Sequence, residues 1–225
     1  FRHTGTDERE DMTPRERFIA ALERRPLTGR VPHFELVFFL TMEAFGRIHP
    51  SHRSYHQWDQ MSEKERELHR QDMASLYIDT AERYEHSAIF IHPNPNTPEE
   101  HLRLIDAVRG RCGDRFFLMK HGDATFGIPR GGNMADWSAR LVEDPAGLKD
   151  EAQQRVDAAI AAAEALKRHG GLDGFAMCAD YCFNSGPFLR PSMFAEFVTP
   201  YLKRLIAAYR EMGFYTIKHT DGNIM

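Results

Sequence analysis

Cysteine is scarce in this 225-residue chain. Cys112, Cys178 and Cys182 make an odd count, and no two of them form a Cys-x-x-Cys pair. Neither a disulfide framework nor a zinc ribbon of the common spacing is therefore expected. Long apolar runs are missing too: a stretch such as VPHFELVFFL stops far short of the roughly 20 residues that span a bilayer. The chain does not open on the basic, apolar and small-residue layout of a signal peptide, so the cytoplasm is the expected compartment. There is no basic excess, since 29 Lys and Arg face 33 Asp and Glu for a net charge of −4. The cations are dispersed among acids, which leaves no electrostatic footprint for nucleic acid. Low-complexity segments and linkers are absent as well.

What remains is the composition of a globular protein, 42% hydrophobic and 28% charged, long enough for one domain with a sizeable core. Residues 1–11 (FRHTGTDERED) are polar and aperiodic and read as a disordered tail, with one domain over 12–225. Thr13-Pro14-Arg15-Glu16 has the form of a capping box opening a short helix to about Arg24. Strand-like runs follow at 31–39, 88–92, 116–121, 174–180 and 215–220. Between them lie helical patterns at about 63–85, 98–110, 144–169 and 191–212, with Gly170 and Gly213 placed as C-terminal caps. Strands alternating with helices predict a parallel sheet with helical crossovers, covered on both faces.

The strand ends carry the chemistry. In order they finish on Glu35, His92, Lys120-His121-Gly122-Asp123, Asp180-Tyr181 and Lys218-His219-Thr220-Asp221, so Lys-His-x-Asp occurs twice. In an α/β barrel these ends open on one face, where active sites are built. Any single terminal His or Asp is more often a turn or cap residue; the recurrence is what favours a site. Other features read blandly. VDAAIAAAEAL is a sheet-packing helix, Cys178 and Cys182 lack zinc spacing, and Gly131-Gly132 lacks the spacing of a phosphate loop. The long connection from Asp123 to about Glu143 is a candidate lid.

The segment MTPRERFIAALERRPLTGRVP resembles the opening of the uroporphyrinogen decarboxylase superfamily. The block ADYCFNSGPFLRPSMFAEFVTPYLKRLIAAYREMGFYTIKHTDGNI resembles its centre, with the Gly-Pro-Phe turn, the Phe-x-x-Pro-Tyr helix and the His-x-x-Gly-Asn strand end. The resemblance implies a TIM (β/α)8 barrel, of which this chain would hold about the first five strands and be incomplete at its C-terminus. It also implies either cofactor-free decarboxylation of uroporphyrinogen, a carboxy-lyase step of porphyrin biosynthesis, or methyl transfer between a small substrate, a corrinoid protein and a zinc-activated thiol.

The decarboxylases of the superfamily carry Arg-Gln-Ala-Gly-Arg-Tyr after the first strand and an aspartate at the end of the second. Here LTMEAFGRI and His92-Pro93 stand there, leaving Arg47 and Arg53 as the nearby cations. The methyltransferase branch carries His-x-Cys where this chain has His219-Thr220-Asp221. Residues two apart on a strand point the same way, so His219 and Asp221 could share an ion, with Glu35 completing the shell and zinc as the expected metal. Alternatively, Asp221 orients His219 by a hydrogen bond. The two-sided burial of the strands also lets Lys218 and Thr220 be the inward pair. The expected catalytic set is His219, Asp180, Tyr181, His121 and Asp123, with His92, Arg47 and Asn184 binding a small-molecule substrate. A corrinoid carried by a partner protein is the expected methyl carrier, and self-association into a homo-oligomer stays open. In the lyase reading Asp180 or Asp221 would hold pyrrole nitrogens while a histidine protonates carbon. A non-catalytic module binding a tetrapyrrole or corrinoid protein is the third reading.

Overall fold

The computed structural model describes residues 12–27, 29–36, 41–54 and 56–224. The expected tail, 1–11, lies outside the described residues. The capping box forms as expected, with Thr13 Oγ1 accepting from the Glu16 N–H and the Glu16 carboxylate accepting from the Thr13 N–H, and helix α1 (Pro14–Leu22) follows. A second capping box, Ser62 with Glu65, opens the 21-residue helix α3 (Glu63–Arg83), after a short α2 (Thr41–Phe45).

Strands β1 (Ala88–Ile91), β2 (Phe117–His121), β3 (Gly174–Met177) and β6 (Tyr215–Lys218) form one parallel sheet in the order β1-β2-β3-β6. The crossovers run through α4 (Pro98–Cys112), through α5 (Asn133–Glu143) and α6 (Pro145–His169), and through α7 (Pro191–Phe197) and α8 (Thr199–Glu211). A two-stranded hairpin, β4 (Cys182–Phe183) with β5 (Gly186–Pro187), is inserted after β3. Both sheet faces are covered. Ile89, Ile91, Leu118, Phe175 and Met177 pack beneath residues of α3, α4, α6 and α8, while Ala88, Phe90, Phe117, Met119 and Ala176 face α1 and the segment containing Phe34 and Leu36.

The structure corrects several sequence expectations. The run at 31–39 is not a strand over 31–36, and 37–40 fall outside the described residues. Pro32 cannot donate to a ladder, and what joins the segment to the sheet edge is a bond from the Ser87 N–H to His33 O, 2.8 Å. The expected lid is half helix, since α5 occupies 133–143. The helix expected over 191–212 breaks at Val198 (φ −122°, ψ −51°), where Pro200, which supplies no N–H to carry the ladder through, sits in the first turn of the new helix. The sheet is open among the described residues, with β6 at one edge. No described helix is long and apolar enough to cross a membrane.

Candidate functional site

Parallel strands of matched register deliver their C-terminal residues to one edge of the sheet. Ile91 pairs with Lys120, His121 with Ala176 and Met177 with Lys218. The pleat then sorts the side chains. Tyr215 and Ile217 pack on the α1 face, so His219 continues that face and Lys218 takes the other. This settles a choice that the sequence left open.

On the α1 face, Asp180, His219 and Asp221 converge, each offering a ligand atom within 4.8 Å of the others. His219 Nε2 lies 3.3 Å from Asp221 Oδ1, and the Asp221 N–H donates to Asp180 Oδ1 at 3.1 Å. Backbone contacts hold the cluster. The Ile128 N–H donates to Asp180 O at 2.8 Å and the His219 N–H to Met177 O at 2.9 Å. Gly222, at φ +88°, lets the chain run against the hairpin, where a Cβ would collide with the carbonyl of Cys182. The third member of the group is thus Asp180; Glu35 is exposed and does not belong to it.

On the other face Asp123 is the hub. Its Oδ1 accepts from the Thr125 N–H (3.0 Å) and hydroxyl (2.6 Å), and its Oδ2 from the Ala179 N–H (3.0 Å) and Lys218 Nζ (3.1 Å). Because Thr125 spends its proton on the carboxylate, the Tyr181 phenol, 2.6 Å away, donates to Thr125. Lys218 Nζ also sits 4.1 Å from the Tyr181 ring centroid. Burial pushes the Asp123 carboxyl up, yet the Thr125 hydroxyl, the Lys218 charge and the two N–H groups outweigh it and hold it below its ordinary value. Burial, then the Asp123 charge, pushes the Tyr181 phenol up. Asp123 and Tyr181 therefore brace the ends of β2, β3 and β6 from the face opposite the His219 cluster.

His92 and His121 stand at the ends of β1 and β2 and line a common cavity of about 300 Å³. Burial lowers both imidazoles, against a bond to Leu36 O at His92 and the Asp123 charge at His121. Arg47 does not join them. Its guanidinium is engaged by Asp72 (2.8 Å) and Asp79 (3.1 Å) on α3, and Arg53 also binds Asp72. Asn184 lies exposed at the tip of the β4–β5 hairpin. Beside the Tyr181–Lys218 contact opens a mostly apolar cavity of about 450 Å³, lined among others by Leu189, Phe194, Leu202 and Ile224.

Asp173 escaped the sequence reading. At the opposite end of β3 its carboxylate takes Arg15 (2.7 Å), Arg109 (2.7 Å) and the Leu118 N–H (2.8 Å), tying α1, α4 and β2 together. Its signal was an acid directly before a strand, at the end where a parallel sheet keeps stability and not catalysis.

These observations define an α/β protein of parallel strands and helical crossovers whose polar groups gather at the strand C-termini. No protein-family model matches the sequence, and no curated protein matches it. Among solved structures it is similar to a methyltransferase from Methanosarcina mazei, with a TM-score of 0.66 over 95% of this chain and 71% of that one, at 14% identity. At that identity the likeness shows the shared fold.

Proposed function

We propose that this chain belongs to a (β/α)8-barrel enzyme that transfers a methyl group from a small methylated substrate, using a divalent metal, zinc by preference, held by Asp180, His219 and Asp221. The observation that carries the reading is the convergence of these three side chains at the C-terminal edge of a parallel sheet, in a fold shared with a methyltransferase.

The donor set fits zinc. Two ligand atoms each about 2.1 Å from a tetrahedral ion lie about 3.4 Å apart, and His219 Nε2 and Asp221 Oδ1 are separated by 3.3 Å. One imidazole and two carboxylates leave a fourth position open, as catalytic zinc sites do. Such a metal, when bound, supplies Lewis acidity toward a thiol or hydroxyl acceptor. The chain's own residues do the placing: the Asp221 N–H fixes Asp180, and the Asp123–Lys218–Tyr181 brace keeps the β3 and β6 ends in register. The neighbouring apolar cavity suits the hydrocarbon part of a small substrate. A corrinoid protein is the proposed methyl carrier, docking over this edge.

Decarboxylation of a polycarboxylate fits less well. Guanidinium forks bind carboxylates in pairs, and Arg47 and Arg53 are already committed to Asp72 and Asp79.

The test runs the transfer in reverse, with free methylcobalamin as methyl donor and a small thiol as acceptor, on the zinc-supplemented full chain. Loss of the cobalt–carbon absorbance should be accelerated, return to background in His219→Ala, and persist in Lys64→Met on the exposed side of α3. Absence of any protein-dependent demethylation by the wild type, with a panel of thiols and alcohols, would overturn the reading.

A further inference from the structure

The two Lys-His-x-Asp runs end differently in space. Lys218 of the second run lies across β3 to reach Asp123 of the first, at 3.1 Å. The corresponding reach for Lys120 is past β1, whose end reads His92-Pro93-Asn94 and offers no acid. Lys120 Nζ has its hydrogen bond with His121 O, 3.1 Å away, and no ion pair among the described residues. Its ammonium stands 5.9 Å from the centroid of Phe175 and lies between two cavities of about 300 and 280 Å³.

The larger cavity is polar: Ser51, Asn96, His92, His101 and His121 line it beside Lys120, and no acid among the described residues does. The imidazoles add no fixed charge near neutral pH. Burial drives His101 down to about 4, and burial also lowers His92 and His121. Lys120 is therefore the cavity's source of positive charge, partly desolvated and without a counter-ion among the described residues. Burial alone pushes it down to about 8. Leaving an ammonium in that state costs free energy, which an anion seated beside it would recover as a charge-assisted hydrogen bond.

We infer that this cavity is an oxyanion site, with Lys120 as the anchor and Asn96 and His121 as neighbouring polar contacts, that receives the carboxylate or phosphate group of a small molecule. The inference does not rest on the metal reading, because Lys120 shares no ligand with Asp180, His219 and Asp221.

The experiment titrates the full, metal-free chain with inorganic phosphate and separately with acetate, following the imidazole resonances of His92 and His121 by NMR. At least one anion should give a saturable shift, and which of the two does so separates a phosphate site from a carboxylate site. Lys120→Met should weaken that binding by about tenfold or more, as expected for losing one charged hydrogen bond, and Lys120→Arg should retain it. Because Lys120 has no ion pair to lose, Lys120→Met should melt no lower than wild type without anion, so a folding failure is itself contrary to the inference. Lys64→Met is the surface control. No saturable shift with either anion, or equal affinity in wild type and Lys120→Met, overturns it.

Discussion

Lys218 of the β6 end pairs with Asp123 beyond the β2 end, Nζ to Oδ2 at 3.1 Å, so the lysine of one Lys-His-x-Asp run neutralises the aspartate of the other. The aspartate is 1% exposed and the lysine 26%. This pair sets which residues face the candidate metal cluster: with Lys218 turned toward Asp123, His219 is turned away from it.

Lys218→Met should destabilise the protein by about 2 kcal/mol. Removing one partner of a buried pair costs up to about 3–5 kcal/mol, but Asp123 keeps three other donors and Lys218 is partly solvated. Urea denaturation of Lys218→Met, Asp123→Asn and the double variant measures it. The double variant should lose less than the sum of the two single losses; strict additivity would mean that the pair contributes nothing.

Asp173→Ala should cost somewhat more, about 2–3 kcal/mol, because it leaves Arg15 without its carboxylate and the Leu118 N–H unbonded at once, while Arg109 loses one charged bond but keeps the Gly171, Gly113 and Phe116 carbonyls. Zinc affinity should be unchanged, since Asp173 lies at the far end of β3. A weakened zinc site would show that the two ends of the sheet are coupled.

The strand ends were legible because apolar runs that stop on ionisable residues are visible at a glance. Their facing was not, because β1 and most of β2 and β3 are buried on both sides and alternation gives no sign of direction. Nothing in the sequence signals that Asp180, and not Glu35, lies beside His219 and Asp221; that grouping follows from Asp221 folding back so that its N–H meets Asp180. That return depends on Gly222 and on a hairpin, β4–β5, whose strands of two residues each leave almost no periodicity to read. The fate of 31–36 turned on Pro32, and that of the 191–212 helix on Pro200. Arg47 looked available because its partners, Asp72 and Asp79, are more than a helical turn apart and 25 or more residues away in sequence.

Acid should unfold the protein earlier than its carboxylates require. Burial lowers His49 to about 3 and His86 to about 4 from an ordinary 6.5. Their neutral forms are favoured in the fold, so this stability is fully present above pH 6.5 and is lost as pH falls from there toward 4. Each group contributes up to about 1.4 kcal/mol per pH unit within that window. Thermal melts from pH 8 to 4 should show a falling Tm from about pH 6.5 downward, and His49→Gln should flatten the slope. A Tm flat to pH 4.5 would contradict the assignment.

Gly222→Ala should weaken zinc binding at least several-fold while leaving the global melt within a few degrees. The left-handed backbone and the close approach to Cys182 position Asp221, whereas the core does not depend on them. Zinc competition with a chromogenic chelator reads the affinity; an unchanged value would mean that Asp221 is placed by something other than this turn.

The central claim is tested most directly by zinc content. The full chain, purified without chelator, supplemented with zinc and desalted, should retain about one zinc per chain by plasma mass spectrometry. Asp180→Ala and His219→Ala should retain almost none, and Asp221→Cys should keep it because thiolate is also a zinc ligand. A metal-free wild type, or full retention in Asp180→Ala, would contradict the site and leave His219 as an acid–base group oriented by Asp221.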